Sequence, residues 1–365
     1  MDTISQRKPV ALFGLRKMGK SSVLQYLRDR AEFPVAYVDL NAGCELSDLF
    51  ERILKSWQLA MRSKRPDLNW NPPSLQSNPE IEFAKATREL MGLLEEKKYP
   101  PQLGLFVDES ELIAPKTLIN SQVLDSISLD RYLIFTRTLR GLVQETKALA
   151  LMIAGVDPRI VRSNRFEGEQ NPFYQLFIEE YLGPLSREDC VQMISNIGCQ
   201  MDLEYGEGAA EFIADISGMH PFIARQLCST IVDAIRQDEK TQTDTSENIE
   251  KITLDTVTSI TESFISDPTT ASYLNENGLW GEVTDPKLWP LLQIKENMAI
   301  LIMLAKDDQS ETVVLVSGSN QEARETSLFE LRKRAVLDKD RLKNLLRIQM
   351  KLFQNWIKRY KLQGN

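Results

Sequence analysis

Histidine is almost absent from this sequence of 365 residues. Its one histidine, His220, excludes a catalytic Ser-His-Asp triad unless that residue belongs to it, and the sequence shows no clustered spacing of metal-ligating residues. The four cysteines are scattered and form no C-x-x-C pair, so disulfides and a zinc site are not expected. Reduced thiols in a cytosolic protein fit this distribution better.

Long apolar runs are missing as well. The longest, near Leu149–Val156 and Met298–Ala305, fall far short of the ~20 residues that a membrane span needs. The first residues, Met-Asp-Thr-Ile-Ser-Gln, lack the charged-then-apolar layout of a signal peptide. We therefore expect a soluble, cytoplasmic protein with no membrane partner.

Charge is distributed unevenly along the chain. The net charge is −8, yet the segment from Arg324 to the end holds 12 Lys and Arg against 4 Asp and Glu, a net charge of +8. The remainder therefore carries −16, which argues against nucleic-acid binding over the whole surface. The last forty or so residues form a basic block on an acidic body.

A glycine-rich segment near the N-terminus has the spacing G-x-x-x-x-G-K-[ST]. The apolar run Val10–Phe13 stops at Gly14, Gly19-Lys20-Ser21 follows, and apolar residues then recur at helical spacing. In such a P-loop, backbone N–H groups surround a phosphate, the lysine places its charge on the β- and γ-oxygens, and the hydroxyl can ligate Mg²⁺. The strand-then-helix context favours this interpretation over a glycine-rich turn without a ligand.

A second apolar run, Leu103–Val107, ends in two carboxylates, Asp108 and Glu109. By itself this pattern is common at surface edges. Downstream of a P-loop it predicts that Asp108 holds the Mg²⁺ hydration shell and that Glu109 orients or deprotonates the attacking water.

Strands alternate with helices over the first half of the chain. Buried strands are expected at 10–13, 34–40, 103–108, 148–155 and 179–185. This alternation predicts an α/β fold, a P-loop NTPase with a parallel sheet covered by helices and with ligands at the carboxyl ends of the strands. The P-loop, Asp108 and the turn at Gly155 all lie at such ends.

From Ser186 the pattern becomes helical. We predict helices at 207–217, 221–237 and 252–266, then a break near 275–290. Further helices are expected at 293–306 and 321–335, with a strand at Thr312–Val316, a strand-like alternation at 346–350 and a closing helix over 353–360. Short helices with small strands suggest a winged helix, and the expected domains are an ATPase core (1–185), a helical lid (186–275) and a winged-helix-like domain (282–365).

These motifs together resemble the STAND branch of AAA+-related P-loop ATPases, close to archaeal-type and origin-recognition ATPases. The resemblance rests on Gly14 to Ser22, Asp108-Glu109, the strand end at Gly155 and Gly218-Met-His220-Pro221, in this order along nearly the whole chain. It implies an ATPase that uses ATP and Mg²⁺ and couples its nucleotide state to self-association or to a separate effector chain.

The resemblance also assigns roles to single residues. It implies that Glu109 and Lys20 are catalytic and that Ser21 and Asp108 ligate the metal. His220 and Pro221 match the family's Gly-His-Pro turn, where the lid approaches the nucleotide, although a histidine beside proline at a helix start is usually a cap or packing detail. The implied nucleotide-binding residues are Gly14, Met18, Gly19, Lys20, Ser21, Ser22, His220 and Pro221.

Three features depart from the family pattern. Its adenine-contacting Gly-Arg-Glu segment, about thirty residues before the P-loop, has no counterpart in the eight residues before Pro9, so base selectivity is not assigned. No Ser or Thr follows Gly155 as a sensor, and Asp157 is a weak substitute. Three arginines could reach a neighbouring subunit, but a solvated basic loop is the better interpretation: Arg159, Arg162 and Arg165.

Two functions remain open at this point. One is a signalling switch in which ATP holds core and lid together until hydrolysis or exchange releases them. The other is a DNA-associated ATPase, such as an initiator or transposition helper, whose winged helix and basic block bind duplex DNA. The acidic charge of the rest of the chain favours the signalling switch. In that interpretation Arg332-Lys333-Arg334 lie on the solvent-exposed face of a domain that packs within the protein.

Overall fold

A computed structural model describes residues 8–40, 45–113, 129–239, 250–266, 294–306, 321–340 and 345–360. Two compact units are present. The first comprises the described residues up to Gly14 and from Gly19 to Leu182; the second comprises Leu15–Met18 and the described residues from Gly183 onward.

The first unit is built on a five-stranded parallel sheet. Its strands are β1 (Val10–Phe13), β2 (Val35–Asp39), β3 (Leu103–Asp108), β4 (Leu149–Gly155) and β7 (Ile178–Tyr181). They lie in the order β2-β3-β4-β1-β7, and each neighbouring pair is parallel. A short antiparallel hairpin, β5 (Arg165–Phe166) and β6 (Glu169–Gln170), lies between β4 and β7 in the chain. The predicted fold class is confirmed.

Helices cover both faces of this sheet. They are α1 (Lys20–Arg30), α2 (Leu46–Lys64), α3 (Pro79–Glu96), α4 (Leu129–Thr146) and the single turn α5 (Arg159–Arg162). Alternate residues of β1 enter opposite cores: Ala11 and Phe13 join the large core with α2, α3 and α4, while Val10 and Leu12 pack with Leu24 of α1. A parallel sheet needs this double cover, because both of its faces are apolar.

The large core contains a stack of aromatic rings. Phe83 lies 4.4 Å from Phe50 and 5.9 Å from Trp57 between ring centroids, and Trp57 Nε1 donates to the carbonyl of Gly104 at 2.6 Å. Each such side chain contributes about 1.5–3 kcal/mol by burial. A Cβ on Gly104 would lie 2.8 Å from Val35 Cγ2, so the strand pairing requires glycine at this position.

The second unit is mainly helical. Its first part contains α6 (Arg187–Gln200), α7 (Ala209–Ile216), α8 (Pro221–Glu239) and α9 (Leu254–Ser266), and its strands β8 (Leu203–Tyr205) and β9 (Glu250–Ile252) pair in parallel. Its second part contains α10 (Ile294–Lys306), α11 (Gln321–Lys333), an antiparallel hairpin of β10 (Leu337–Asp340) and β11 (Leu345–Ile348), and α12 (Lys351–Tyr360).

Most of the predicted helices of this unit are confirmed. The strand-like alternation was extended too far, since β11 ends at Ile348 and Met350 directly precedes α12. The predicted strand at Thr312–Val316 and the break at 275–290 lie outside the described residues. The three-domain division and the winged helix stay predictions.

Candidate functional site

The P-loop follows β1 at the carboxyl edge of the sheet. Two glycines shape it. A Cβ on Gly14 would lie 2.8 Å from the carbonyl oxygen of Leu182, and Gly19 has a φ of 101°, which disfavours other residues. The close approach and the left-handed turn explain why the sequence needs glycine at both ends of the loop.

Lys20 opens α1 and is buried, with 8% of its surface exposed. Its Nζ donates to the carbonyl oxygen of Gly14 at 3.0 Å, which holds the ammonium group inside the loop. The first helical hydrogen bond runs from the Val23 N–H to the Gly19 carbonyl at 3.0 Å, so the N–H groups of Lys20, Ser21 and Ser22 precede the helical ladder. N–H groups that precede the helical ladder, beside an ammonium group, suit an anion.

The remaining loop residue of the prediction, Met18, is buried. It groups with the second unit together with Leu15, Arg16 and Lys17, while Gly19 and Lys20 group with the first. Its contact with a nucleotide therefore stays a prediction.

Asp108 ends β3 and is 2% exposed. Its carboxylate accepts two hydrogen bonds: Oδ2 from the Tyr37 hydroxyl at 2.8 Å and Oδ1 from the Glu109 N–H at 3.0 Å. Tyr37 comes from β2, the strand next to β3. Burial, followed by the Asp108 hydrogen bond and charge, raises the pKa of Tyr37 to about 12, so its hydroxyl stays a donor at neutral pH.

Glu109 lies at the turn that leaves β3. It is half-buried and has a φ of 54°, a left-handed conformation that a residue with a Cβ adopts only at a cost of about 1 kcal/mol or more. The Leu112 N–H donates to its carbonyl at 2.9 Å and so begins the 3₁₀ turn Ser110–Ile113. The strained turn directs the chain away from the sheet immediately after the two carboxylates.

Sequence reasoning missed Glu111, which is only 7% exposed. Its Oε2 accepts from the Val156 N–H at 3.2 Å. Burial, and secondly the Glu109 charge, raise the pKa of Glu111 to about 8, while the Lys20 charge opposes them. No sequence pattern pointed to Glu111. Its fit against Gly155, where a Cβ would lie 2.3 Å from the Glu111 Oε2 atom, is visible only in the structure.

These interactions bring the predicted site residues of the first unit together. Glu111 is within electrostatic reach of both Glu109 and Lys20, and Asp108 accepts a hydrogen bond from the Glu109 N–H. Ser21 is half-buried and Ser22 is exposed, both in the first turn of α1. Hydroxyl and carboxylate oxygens are the ligands that Mg²⁺ prefers. Nucleotide and metal binding by these residues stay predictions.

The arginines suggested for a contact with a neighbouring subunit are mostly engaged within the chain. Arg159 is 7% exposed and forms an ion pair with Asp157. A sensor role of Asp157 stays a prediction. Arg162 pairs with Glu179 at 2.7 Å. Arg165 is exposed at the start of β5 and donates to the Gly168 carbonyl at 3.1 Å. Arg159 and Arg162 therefore do not lie in a solvated basic loop, which is what the sequence suggested.

His220 and Pro221 belong to the second unit. His220 is 1% exposed and precedes α8, which Pro221 begins. The turn before them is tight: a Cβ on Gly218 would lie 2.5 Å from Met350 Cγ. Packing is therefore evident at this turn, and a nucleotide contact of His220 and Pro221 stays a prediction.

The described part of the chain has neither a cluster of metal-ligating side chains nor a helix that could span a membrane. No group of three or more His, Cys, Asp or Glu residues in it could hold a metal ion. No helix in the same ranges is both long and apolar enough to cross a bilayer.

No family model matches the sequence, and no curated protein matches it. Among solved structures, the Walker-type ATPase PABY2304 of Pyrococcus abyssi is similar over 96% of this chain and 91% of its own, with 14% identity and a TM-score of 0.54. The chain has the P-loop NTPase fold. Identity this low shows the fold alone.

Two further structures show weaker similarity. The ORC2 protein of Aeropyrum pernix is similar over 98% of this chain and 89% of its own, with 11% identity and a TM-score of 0.46. The RuvB Holliday junction branch migration motor of Thermotoga maritima is similar over 95% of this chain and 86% of its own, with 13% identity and a TM-score of 0.43.

Proposed function

We propose that this protein binds and hydrolyses ATP as a molecular switch of the STAND/AAA+ type. One observation carries the proposal: the buried ammonium group of Lys20 lies within electrostatic reach of the acidic turn that follows Asp108. A P-loop cation and a strand-end acid at one edge of a parallel sheet are the two halves of a nucleoside triphosphatase site. The similar P. abyssi protein is a Walker-type ATPase, which supports ATP as the nucleotide.

ATP with Mg²⁺, when bound, supplies the phosphoanhydride bond and the charge that neutralises its oxygens. The N–H groups of Gly19 to Ser22 and the Lys20 ammonium bind the phosphate tail, and the Ser21 hydroxyl and Asp108 carboxylate hold the metal. Glu109 orients the attacking water and accepts its proton. Tyr37 keeps the Asp108 carboxylate in one orientation through its 2.8 Å hydrogen bond.

The resemblance to STAND ATPases suggests what the nucleotide state controls. We infer that the nucleotide state controls self-association or contact with a separate effector chain, and that turnover is slow. ATP-dependent assembly is the measurable consequence of this inference.

Replacing Lys20 by alanine tests the nucleotide site. Lys20→Ala should weaken ATP binding at least about 100-fold, because removing a buried cation from a phosphate costs about 3 kcal/mol or more. Isothermal titration calorimetry with ATP and Mg²⁺ measures the change. Lys85→Ala is the matched control, since the Lys85 side chain is 76% exposed on α3. Equal ATP affinity of the Lys20 variant and wild type would contradict the proposed nucleotide site.

The DNA-associated alternative depends on the basic block at the C-terminus. Arg332 and Lys351 are exposed, but Arg334 is 1% exposed and lies beside Glu330, with Nε and Oε2 3.6 Å apart. The expectation that Arg332-Lys333-Arg334 forms a solvent-exposed face is therefore wrong for Arg334, which is buried. The block is partly structural, which favours the switch.

A duplex-binding assay separates the two functions. The variant Arg332→Glu/Lys333→Glu leaves the buried Arg334 in place and so changes only exposed and half-buried positions. If wild type binds duplex DNA with a steep salt dependence and the variant does not, the DNA-associated function replaces the switch. The switch predicts no difference between the two proteins.

A further inference from the structure

Glu111 joins the ends of two neighbouring strands at the site edge. It lies in the 3₁₀ turn that follows β3, and its Oε2 accepts from the N–H of Val156, the first residue after β4. Gly155 makes room for it, since a Cβ there would lie 2.3 Å from Oε2 and 2.6 Å from Ser110 Oγ. The carboxyl group therefore occupies space that any other residue at 155 would fill.

The other oxygen of this carboxyl group is unused within the described ranges. Glu111 Oε1 is fully buried and has no hydrogen-bond partner there. An unpaired polar atom in a protein interior costs about 1–3 kcal/mol, so a buried carboxyl oxygen without a partner needs an explanation. Glu109 directly precedes this turn and accepts the Leu112 N–H. Its charge acts on Glu111.

We propose that Glu111 is a positioning residue for Glu109: with Oε2 anchored by the Val156 N–H, its carboxyl group uses the unpartnered Oε1 to bind the Glu109 carboxylate during catalysis and so fixes that carboxylate. The inference rests on the proposed ATPase function and deepens it. Glu111 acts through Glu109 and has no direct role in the reaction.

The protonation state of Glu111 agrees with this role. Burial and the Glu109 charge raise its pKa to about 8, so near neutral pH the group carries a proton and has one O–H to donate. The charged groups that act on it are Glu109, directly before the turn, and Lys20 from α1, which opposes the shift. β4 faces it with the uncharged Gly155 and the Val156 N–H.

Two substitutions at position 111 test the proposal through ATPase kinetics. Glu111→Ala should lower kcat about 10- to 100-fold, because Glu109 loses its fixed orientation, while KM for ATP stays within about threefold. Glu111→Gln should keep kcat within about threefold of wild type, since its amide can accept from Val156 and donate to Glu109. Glu89→Gln, on the exposed face of α3, is the control for handling and expression.

The pH profile supplies a readout that a purely structural role would not change. Wild-type kcat should fall above about pH 8 as Glu111 ionises beside Glu109, and Glu111→Gln should lack this fall. Should Glu111→Ala fail to fold by circular dichroism, the glutamine variant and its pH profile decide alone.

The proposal is overturned if folded Glu111→Ala has wild-type kcat, if Glu111→Gln is as impaired as Glu111→Ala, or if the alkaline fall persists in the glutamine variant. Failure of the proposed function looks different. In that case wild type itself neither binds nor hydrolyses ATP, and Lys20→Ala behaves as wild type does.

Discussion

At the scale of single residues, the best-defined part of the site is the environment of Asp108. A buried carboxylate is costly unless donors surround it, and here an O–H from β2 and a backbone N–H from its own turn point at its two oxygens. Both donors fix the direction of the carboxyl group. A carboxylate held in this way can ligate a hydrated metal without first reorienting.

Replacing Tyr37 by phenylalanine removes one of these donors. Tyr37→Phe should lower the free energy of unfolding by about 1–2 kcal/mol, since a hydrogen bond to a charged group is lost. The Mg²⁺ concentration for half-maximal ATPase activity should rise as well. Urea denaturation and a Mg²⁺ titration measure the two effects. Tyr26→Phe is the control, because Tyr26 is 51% exposed, and equal effects of the two substitutions would contradict the assignment.

The raised pKa of Glu111 has a consequence for stability. Its pKa rises from the ordinary value of 4.5 to about 8 on folding, so between these values the folded state holds a proton that the unfolded state releases. Stability from this group is present below pH 4.5 and is lost as pH rises toward 8. Glutamine does not titrate.

The stability advantage of Glu111→Gln over wild type should therefore grow from pH 5 to pH 8 and then level off. Denaturant midpoints at pH 5, 6.5 and 8 measure it. Glu89→Gln, at an exposed position, should show no such growth. A constant difference across this range would contradict the raised pKa.

Sequence patterns located Lys20, Asp108 and Glu109 because motif spacing specifies them. Tyr37 and Glu111 carry no such spacing. A tyrosine in an apolar strand resembles core, and a glutamate two residues after a strand resembles surface. Only the pairing of β2 with β3, and of β3 with β4, brings these side chains to the carboxylates.

At the scale of elements, predictability followed length and periodicity. Four strands of the main sheet were predicted from apolar runs between turn signals. The fifth, β7, has the sequence Ile-Glu-Glu-Tyr; the predicted segment 179–185 overlaps it but extends too far, since β7 ends at Tyr181. Four strands of two or three residues were missed: β5, β6, β8 and β9. Their formation depends on a partner elsewhere in the chain, as in the parallel pairing of Leu203–Tyr205 with Glu250–Ile252, which no local pattern contains.

The turn before α8 depends on a glycine. Gly218 has a φ of 62°, and a Cβ there would lie 2.5 Å from Met350 Cγ and 2.9 Å from the Gln349 carbonyl oxygen. Gly218→Ala should lower the free energy of unfolding by about 1–3 kcal/mol through strain and overpacking.

Gly141 provides a control of opposite sign. It lies inside α4, and a Cβ there would meet no atom within 4 Å. Gly141→Ala should raise the free energy of unfolding by about 0.5–1 kcal/mol, because alanine favours the helix. Guanidinium denaturation of both variants measures the contrast, and a stabilising Gly218→Ala would contradict the packing described here.

At the scale of the whole molecule, the composition shows that the C-terminal block is basic but does not show which of its charges are exposed. Twelve basic residues against four acidic ones suggest an exposed basic surface. Arg334 shows why the count is insufficient, since a guanidinium can be buried beside a glutamate on the preceding helical turn. Sequence alone does not distinguish such a residue from its exposed neighbour Arg332.

The proposed switch makes a prediction about the size of the particle. Glu109→Gln should retain ATP binding, lower turnover about 100- to 10,000-fold and remain in the ATP-dependent assembly. Light scattering after size-exclusion chromatography with ATP and Mg²⁺ measures the particle mass. Lys20→Ala, treated in the same way, should stay at its nucleotide-free mass. Wild-type turnover in the Glu109 variant would remove this residue from the mechanism.

The position of β4 in the sheet sets a dimension of the catalytic edge. Because β4 lies between β1 and β3, the phosphate loop and the acidic turn start two strand spacings apart, about 9–10 Å. That gap is wide enough for a phosphoryl group and a hydrated cation side by side. A bulge inserted in β4 would change the width of this opening without altering any residue of the P-loop or of the acidic turn.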